Sequence, residues 1–229
     1  MLNGINTFNE KPLHAALKQW YAQPDDHVET KVDGFIIDIV REDLLIEIQT
    51  RNFSALKRKL NTLITHHRVL LVYPIAQDKW IIKQNPGANH PESRRKSPKH
   101  GKLSEIFTEL VSIPYLLANP NFSLEVVFIQ EEEVRYHDPK RAWRRHGWVT
   151  QERRLLKVVS CQRFATPNDL GAAILPALKA PFTTADLASA LKCSRRLAQK
   201  SAYCLREMGL IAARGKQGNA ILYTRVDAA

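Results

Sequence analysis

Two apolar runs, FIIDIV (residues 35 to 40) and LLIEIQ (44 to 49), flank the polar triplet Arg41-Glu42-Asp43. β-Branched runs on either side of a short polar turn predict an antiparallel hairpin. With Glu42 and Asp43 as the loop, Arg41 faces Leu44, Val40 faces Leu45 and Asp38 faces Glu47. Alternation then gives one apolar face of Phe35, Ile37, Ile39, Leu44, Ile46 and Ile48. Ile36, Asp38, Val40, Leu45, Glu47 and Gln49 share the other. Upstream, EKPLHAALKQWYA predicts an amphipathic helix through Leu13, Ala16, Leu17 and Trp20, and HVETKV begins a first strand. Downstream, FSALKRKLNTLI predicts a crossover helix with Leu56, Leu60, Leu63 and Ile64 inward, and RVLLVYPI a buried parallel strand. LSEIFTELVSIPYLLA starts as a helix, and FSLEVVFIQ reads as another buried strand.

From residue 166 the pattern changes. After one helix, TTADLASAL opens with a threonine cap and an acid at Asp186. Ser194 then caps RRLAQKSAYCLREM, and Gly209 ends it. LIAARGKQGNAILYTR closes the chain as a hairpin with RGKQG at its tip. The last helix turns Leu197, Ser201, Leu205 and Met208 inward and Arg195, Arg196, Gln199, Lys200 and Tyr203 outward. The boundaries expected are therefore 1–165 and 166–229.

A chain of 229 residues, 44% hydrophobic, suits one medium domain and a small one. No apolar run approaches about 18 residues, and MLNGINTFNEK lacks a basic start before an apolar stretch, so a cytoplasmic protein without a membrane span is expected. Cys161, Cys193 and Cys204 show no CxxC spacing and read as reduced core thiols. Lysine and arginine exceed aspartate and glutamate by 11, and all but one of that excess lies beyond residue 90. Such a balance suits a polyanionic partner.

The hairpin carries the sharpest chemistry. Carboxylates facing each other across a half-apolar sheet repel, and desolvation adds to the cost unless one is protonated or a cation sits between them. Mg²⁺ is held by one or two carboxylates with water and substrate phosphate completing its shell. The bland alternative is a solvent-facing hairpin with ordinary surface acids. Asp38, followed by Glu47-Ile48-Gln49, resembles the PD-(D/E)XK nuclease superfamily, whose pattern is an acid on one strand and Glu-x-Lys on the next. The order helix, three strands, helix, strand over residues 8 to 83 fits the same family.

That resemblance implies a restriction-endonuclease-like mixed α/β sheet flanked by helices, with Mg²⁺ or Mn²⁺ held by Asp38 and Glu47. It puts Gln49 where a lysine orients the attacking water; an amide can hydrogen-bond the water but brings no charge. Lys57 and Lys31 are the ammonium groups considered as substitutes, and Glu10 is a further metal ligand by analogy with branches that carry a glutamate on the first helix. Glu29 and Asp33 are lesser candidates, Asp33 reading first as a turn former.

The C-terminal segment resembles a winged helix-turn-helix module. That resemblance implies DNA contact through Arg195, Arg196, Gln199, Lys200 and Tyr203, with Arg214 and Lys216 on the wing near phosphates. A basic loop with Arg94, Arg95 and Lys96, joined by Lys99 and Lys102, is read as tracking a phosphate backbone. Trp143 and Trp148 among Lys140, Arg141, Arg144 and Arg145 suit stacking and phosphate contact. The function expected is a metal-dependent DNA endonuclease targeted by the winged helix. Its rival is a catalytically inactive nuclease-like DNA-binding regulator, or a component of a homodimer or a larger defence, repair or mobile-element assembly.

Overall fold

The turn at Glu42 and Asp43 joins β2 (Phe35–Arg41) to β3 (Leu44–Ile48) in the expected register, with Arg41 opposite Leu44, Val40 opposite Leu45 and Ile39 opposite Ile46. The computed structural model describes residues 11–84, 92–138, 140–141, 146–175 and 178–226. Glu10, Trp143, Arg144 and Arg145 lie outside the described residues. Ahead of the hairpin come α1 (Pro12–Tyr21) and β1 (His27–Val32), which pairs antiparallel with β2 across a turn at Asp33 and Gly34. Gly34 has φ +83°, and Asp33, at φ +48°, acts as the expected turn former.

After β3 the chain makes a 3-10 turn (Phe53–Leu56) and α2 (Lys57–Leu63), then enters β4 (Arg68–Lys83), parallel to β3. β6 (Phe122–His137) runs parallel to β4 on its other side, and β7 (Trp148–Phe164) pairs antiparallel with β6. A short β5 (Ser93–Lys96) pairs with the far half of β4. The result is an open, mixed seven-stranded sheet flanked by helices, in the order β1-β2-β3-β4-β6-β7.

Three departures from the sequence pattern have physical causes. Arg94, Arg95 and Lys96 belong to β5 and not to a loop: Arg94 pairs with Glu132 at 2.7 Å, Lys96 pairs with Asp78 at 2.9 Å, and both lie over the Trp80 ring. β7 has no clean alternation because it is an edge strand, largely exposed along its length. The far halves of β4 and β6 are too polar to read as strands, yet there Glu131 and Glu133 are buried among cations. Glu131 meets Lys79 and Arg153; Glu133 meets Lys79 at 2.7 Å, Arg135 at 2.8 Å and the Thr150 hydroxyl at 2.8 Å. Several cations around them are what permit two carboxylates inside a sheet, although Glu131 Oε1 meets Lys79 without a hydrogen bond.

The sheet has a core on each face. Leu13, Leu17 and Tyr21 of α1 cover Ile39, Ile46, Ile48, Leu70 and Val72. Trp20, expected inward, is half exposed, and Tyr21 takes its place by donating its hydroxyl to Glu125. The other face packs against α2, α3 (Phe107–Leu110) and the 3-10 turns Leu103–Ile106 and Pro114–Ala118. Side chains of α4 (Pro167–Ile174), α5 (Thr184–Ala190) and α6 (Arg195–Glu207) join that same cluster. The boundary after residue 165 thus separates elements in sequence while the apolar core continues across it.

The C-terminal caps form as the sequence predicts. Thr183 and Asp186 make a capping box, Ser194 accepts the Leu197 amide, and Gly209 leaves α6 with φ +75°. β8 (Ile211–Gln217) and β9 (Ala220–Arg225) form the hairpin, with its turn at Gly218 and most of RGKQG inside β8. Of the cysteines, only Cys204 is a core thiol; Cys193 is half buried and Cys161 is exposed on β7. No helix among the described residues is long and apolar enough to cross a membrane.

Because Leu205 of α6 is fully buried in the cluster that also holds Phe107 and Leu63, Leu205→Ala is expected to cost about 2–5 kcal/mol. Urea unfolding should show one shifted transition; two transitions, with only one displaced, would contradict the shared core.

Candidate functional site

β2 and β3 are paired only as far as Ile39 and Ile46. Beyond that point each keeps its other neighbour, β2 staying with β1 and β3 with β4, so the two strands part and open a wedge. Asp38 and Glu47 stand at its mouth, where the register brought them. Asp38 Oδ2 accepts the main-chain N–H of Ile48 at 2.8 Å, a side chain standing in for a ladder bond. The interruption reaches the packing: Ile37 belongs to the core under α2, whereas Ile39 belongs to the one under α1. The single apolar face expected for the hairpin is therefore divided, with Asp38 at the change. Opposite this point, Glu29 of β1 has φ +52°, and its carboxylate pairs with Lys18 at 2.6 Å, away from the cluster.

Two side chains that the sequence pattern did not single out complete the cluster. His14 of α1 lies 3.2 Å from Asp38 Oδ2. Lys59 of α2 places its ammonium 2.5 Å from Glu47 Oε1 and donates to the Ile36 carbonyl, also at 2.5 Å. The contact with Glu47 is a close ion pair to the buried Oε1. Lys57 does not reach the carboxylates; its ammonium lies 5.8 Å from the centre of the Tyr115 ring. The two lysines sit about 200° apart around the helix, on opposite flanks of the stripe through Leu56, Leu60 and Leu63. Only the direction in which the crossover packs decides which flank meets Glu47. Gln49 also does something other than expected: its side-chain amide donates to the Asn52 carbonyl at 3.2 Å, holding the loop after β3.

The two acids titrate in opposite directions. Burial, then the charge of Asp38, pushes Glu47 up to about 7, against the pull of Lys59. Burial also raises Asp38, but His14, the Ile48 amide and Lys59 outweigh it, and its net position is below the ordinary 3.8. Carboxylates forced together in a desolvated spot separate in this way, one ionised and one close to neutrality. Glu133, also buried but beside Lys79, Arg135 and Thr150, is instead held down at about 2. The contrast marks Glu47 as the acid left short of positive charge.

Cations also gather where α1 begins. Arg51, two residues past Gln49, and Arg153 both bear on Lys11 at the start of α1, where burial and their charge hold the ammonium pKa below its ordinary value. Among the described residues no group of three or more His, Cys, Asp or Glu side chains is arranged to hold a metal ion. A cation here would rest on the Asp38 and Glu47 oxygens, with water or a phosphate filling the remaining positions.

The other predicted positions divide. Arg195, Arg196, Gln199 and Tyr203 are exposed on α6, and Arg214 and Lys216 are exposed on β8. Lys200 turns back toward the sheet domain and donates to the Thr108 carbonyl at 3.1 Å. Lys31 stays on β1, and Asp33 pairs with His67 at 2.8 Å.

Glu47 folds with a pKa of about 7 against an ordinary 4.5, so between those values the folded state holds a proton that the unfolded chain has released. Its contribution to stability is therefore lost as pH rises through that window. Carboxyl carbon NMR should find one glutamate titrating near neutrality, moved higher by Lys59→Met and lower by Asp38→Asn. A Glu47 midpoint in the ordinary carboxylate range would contradict the burial and the crowding.

Comparison with known proteins places these elements in a family context. A protein of Treponema pallidum (strain Nichols) described as "Uncharacterized protein" is 31% identical over 225 residues, which cover 96% of this chain and 87% of that protein. No solved structure matches the chain. The model for a domain of unknown function, DUF8091, matches residues 11–165, from the start of α1 to the end of β7. The chain belongs to the DUF8091 family.

Proposed function

We propose that this protein is a metal-dependent nuclease of the restriction-endonuclease-like kind, acting on DNA, with its catalytic centre in the wedge between β2 and β3. The observation that carries this reading is Lys59, which supplies beside Glu47 the ammonium that Gln49 cannot. The strand arrangement supports it: a helix, three antiparallel strands, a crossover helix and a fourth strand parallel to the third. The succession of α4, α5, α6 and the β8-β9 hairpin, with Phe182 bridging to Tyr223, supports a winged helix at the C-terminal end.

The donors suit the cation implied. Two carboxylates offer hard oxygen ligands of the type Mg²⁺ and Mn²⁺ prefer, with the Lys59 ammonium in contact with Glu47 Oε1. When bound, such a metal supplies a water of lowered pKa and stabilises charge on the phosphodiester. Asp38 is kept ionised by His14 and the Ile48 amide, ready to act as a ligand. Lys59 holds positive charge at the same point, where it orients a water molecule and offsets charge developing on the phosphate. Gln49 keeps the following loop in place. The Lys59 ammonium favours this reading over the inactive-regulator alternative, whose premise was a missing cation.

Supercoiled DNA with Mg²⁺ or Mn²⁺ tests the proposal. Asp38→Ala and Glu47→Ala should abolish cleavage, EDTA should do the same, and Lys59→Met should slow it by about 10²–10³-fold. Gln49→Ala should cost less than about tenfold, because its amide faces Asn52. Cleavage by the native chain that survives both acid substitutions would rule out the wedge as the catalytic centre.

A further inference from the structure

The C-terminal elements meet the sheet domain along a furrow of about 730 Å³, walled by residues 98–108 on one side and residues 192–200 on the other. Both walls are held in place. Gly101 lies directly on β4, where a Cβ would fall 2.3 Å from the Ala76 carbonyl oxygen, so no other residue fits without displacing the backbone. Across the junction, Lys102 donates to the Lys192 carbonyl and Lys200 to the Thr108 carbonyl, each at 3.1 Å.

The furrow is strongly one-signed. Lys99, Lys102, Lys192, Arg196 and Lys200 line it against one acid, Glu105, which Lys99 already pairs at 2.9 Å. Among the described residues Lys102, Lys192, Arg196 and Lys200 have no anionic partner. Cations gathered this way repel unless an anion lies among them. No Phe, Tyr or Trp lines the furrow, so it offers no platform on which bases would stack. Its volume is of the size that holds a small ligand or a short stretch of one chain. A second furrow of about 480 Å³ shares Lys99 and Glu105 with the first and runs past Lys79 and Arg153 to Thr50 and Arg51, just beyond Gln49. The two make a continuous path from the end of β3 to the start of α6. Tyr73 and Glu133 also line its β3 end, where Lys79, Arg135 and Arg153 are paired with Glu131 and Glu133. Lys102, Lys192, Arg196 and Lys200, without an anionic partner among the described residues, stand at the junction.

We infer that this path holds the sugar-phosphate backbone of one nucleic-acid strand, with Lys102, Lys192 and Arg196 gripping its phosphates at the junction. The inference rests on the nucleic-acid substrate of the proposed function and changes the part played by α6. Its first turns form a wall of the strand's channel, and the C-terminal elements act as half of a composite site rather than as a tethered reader of base sequence.

Binding of the full chain to a fluorescent single-stranded oligonucleotide in EDTA, followed against salt, separates this from catalysis. Each phosphate contact contributes about 0.7 to the slope of log K against log salt for a single strand. Lys102→Gln/Lys192→Gln/Arg196→Gln should bind at least tenfold more weakly with a slope shallower by about 2. Lys192→Gln/Arg196→Gln, which leaves the cross-junction bonds intact, should flatten it by about 1.4. Arg214→Gln/Lys216→Gln on β8 should keep the native slope. Native affinity and slope in both furrow variants, or a loss confined to the β8 variant, would overturn the inference. Strand binding that depends on the furrow in a chain that never cuts DNA would remove the nuclease reading and leave this one standing; cleavage with an unchanged furrow slope would do the reverse.

Discussion

Two carboxylates and one ammonium share the place where β2 and β3 part, and much of the surrounding architecture follows from keeping them there. Asp38 takes a main-chain N–H that the opened ladder leaves over, while Lys59 takes the Ile36 carbonyl and faces Glu47. The first acid is braced by α1 through His14, the second by α2 through Lys59. Removing either partner from such an arrangement leaves a buried charge without compensation, which costs far more than the pair contributes while intact. The position of both helices over the sheet is thus coupled to the charge state of a single wedge.

The same sheet buries acids at three places, with different outcomes, Glu125 being held by Tyr21 and Arg163. At its far end Glu131 and Glu133 are buried as deeply, but Lys79, Arg135 and Arg153 leave them amply paired, and that cluster reads as a polar lattice tying β4, β6 and β7 together. In the wedge, among the described residues, Lys59 faces Glu47 and His14 faces Asp38, and Glu47 is displaced toward neutrality. Under the proposed function, this perturbation is what sets the wedge apart from the structural ion pairs at the far end.

The charge balance of the chain also acquires a location. Much of the basic excess pairs within the sheet, as Arg94, Lys96 and Arg153 do. Of what stays unpaired, Lys102, Lys192, Arg196 and Lys200 lie together along the junction between the 98–108 segment and α6. The shared apolar cluster runs beneath that junction.

Local features were legible in the sequence because they depend on neighbouring residues alone. The hairpin register follows from a two-residue turn between β-branched runs, and the caps at Thr183 and Ser194 follow from side chains that reach their own backbone. From these came the Asp38 and Glu47 pair, the turn at Asp33 and the order of elements as far as β4. The extended β7 and the polar halves of β4 and β6 were hidden, because a charged edge strand stabilised by cross-strand ion pairs has no apolar alternation to betray it. The choice between Lys57 and Lys59 was hidden for a deeper reason. Both flank the same helical stripe, and periodicity does not say which flank the crossover will lay against Glu47. Sequence by itself determined which acids meet; only packing of α1 and α2 onto opposite faces of the sheet decided which cations meet them.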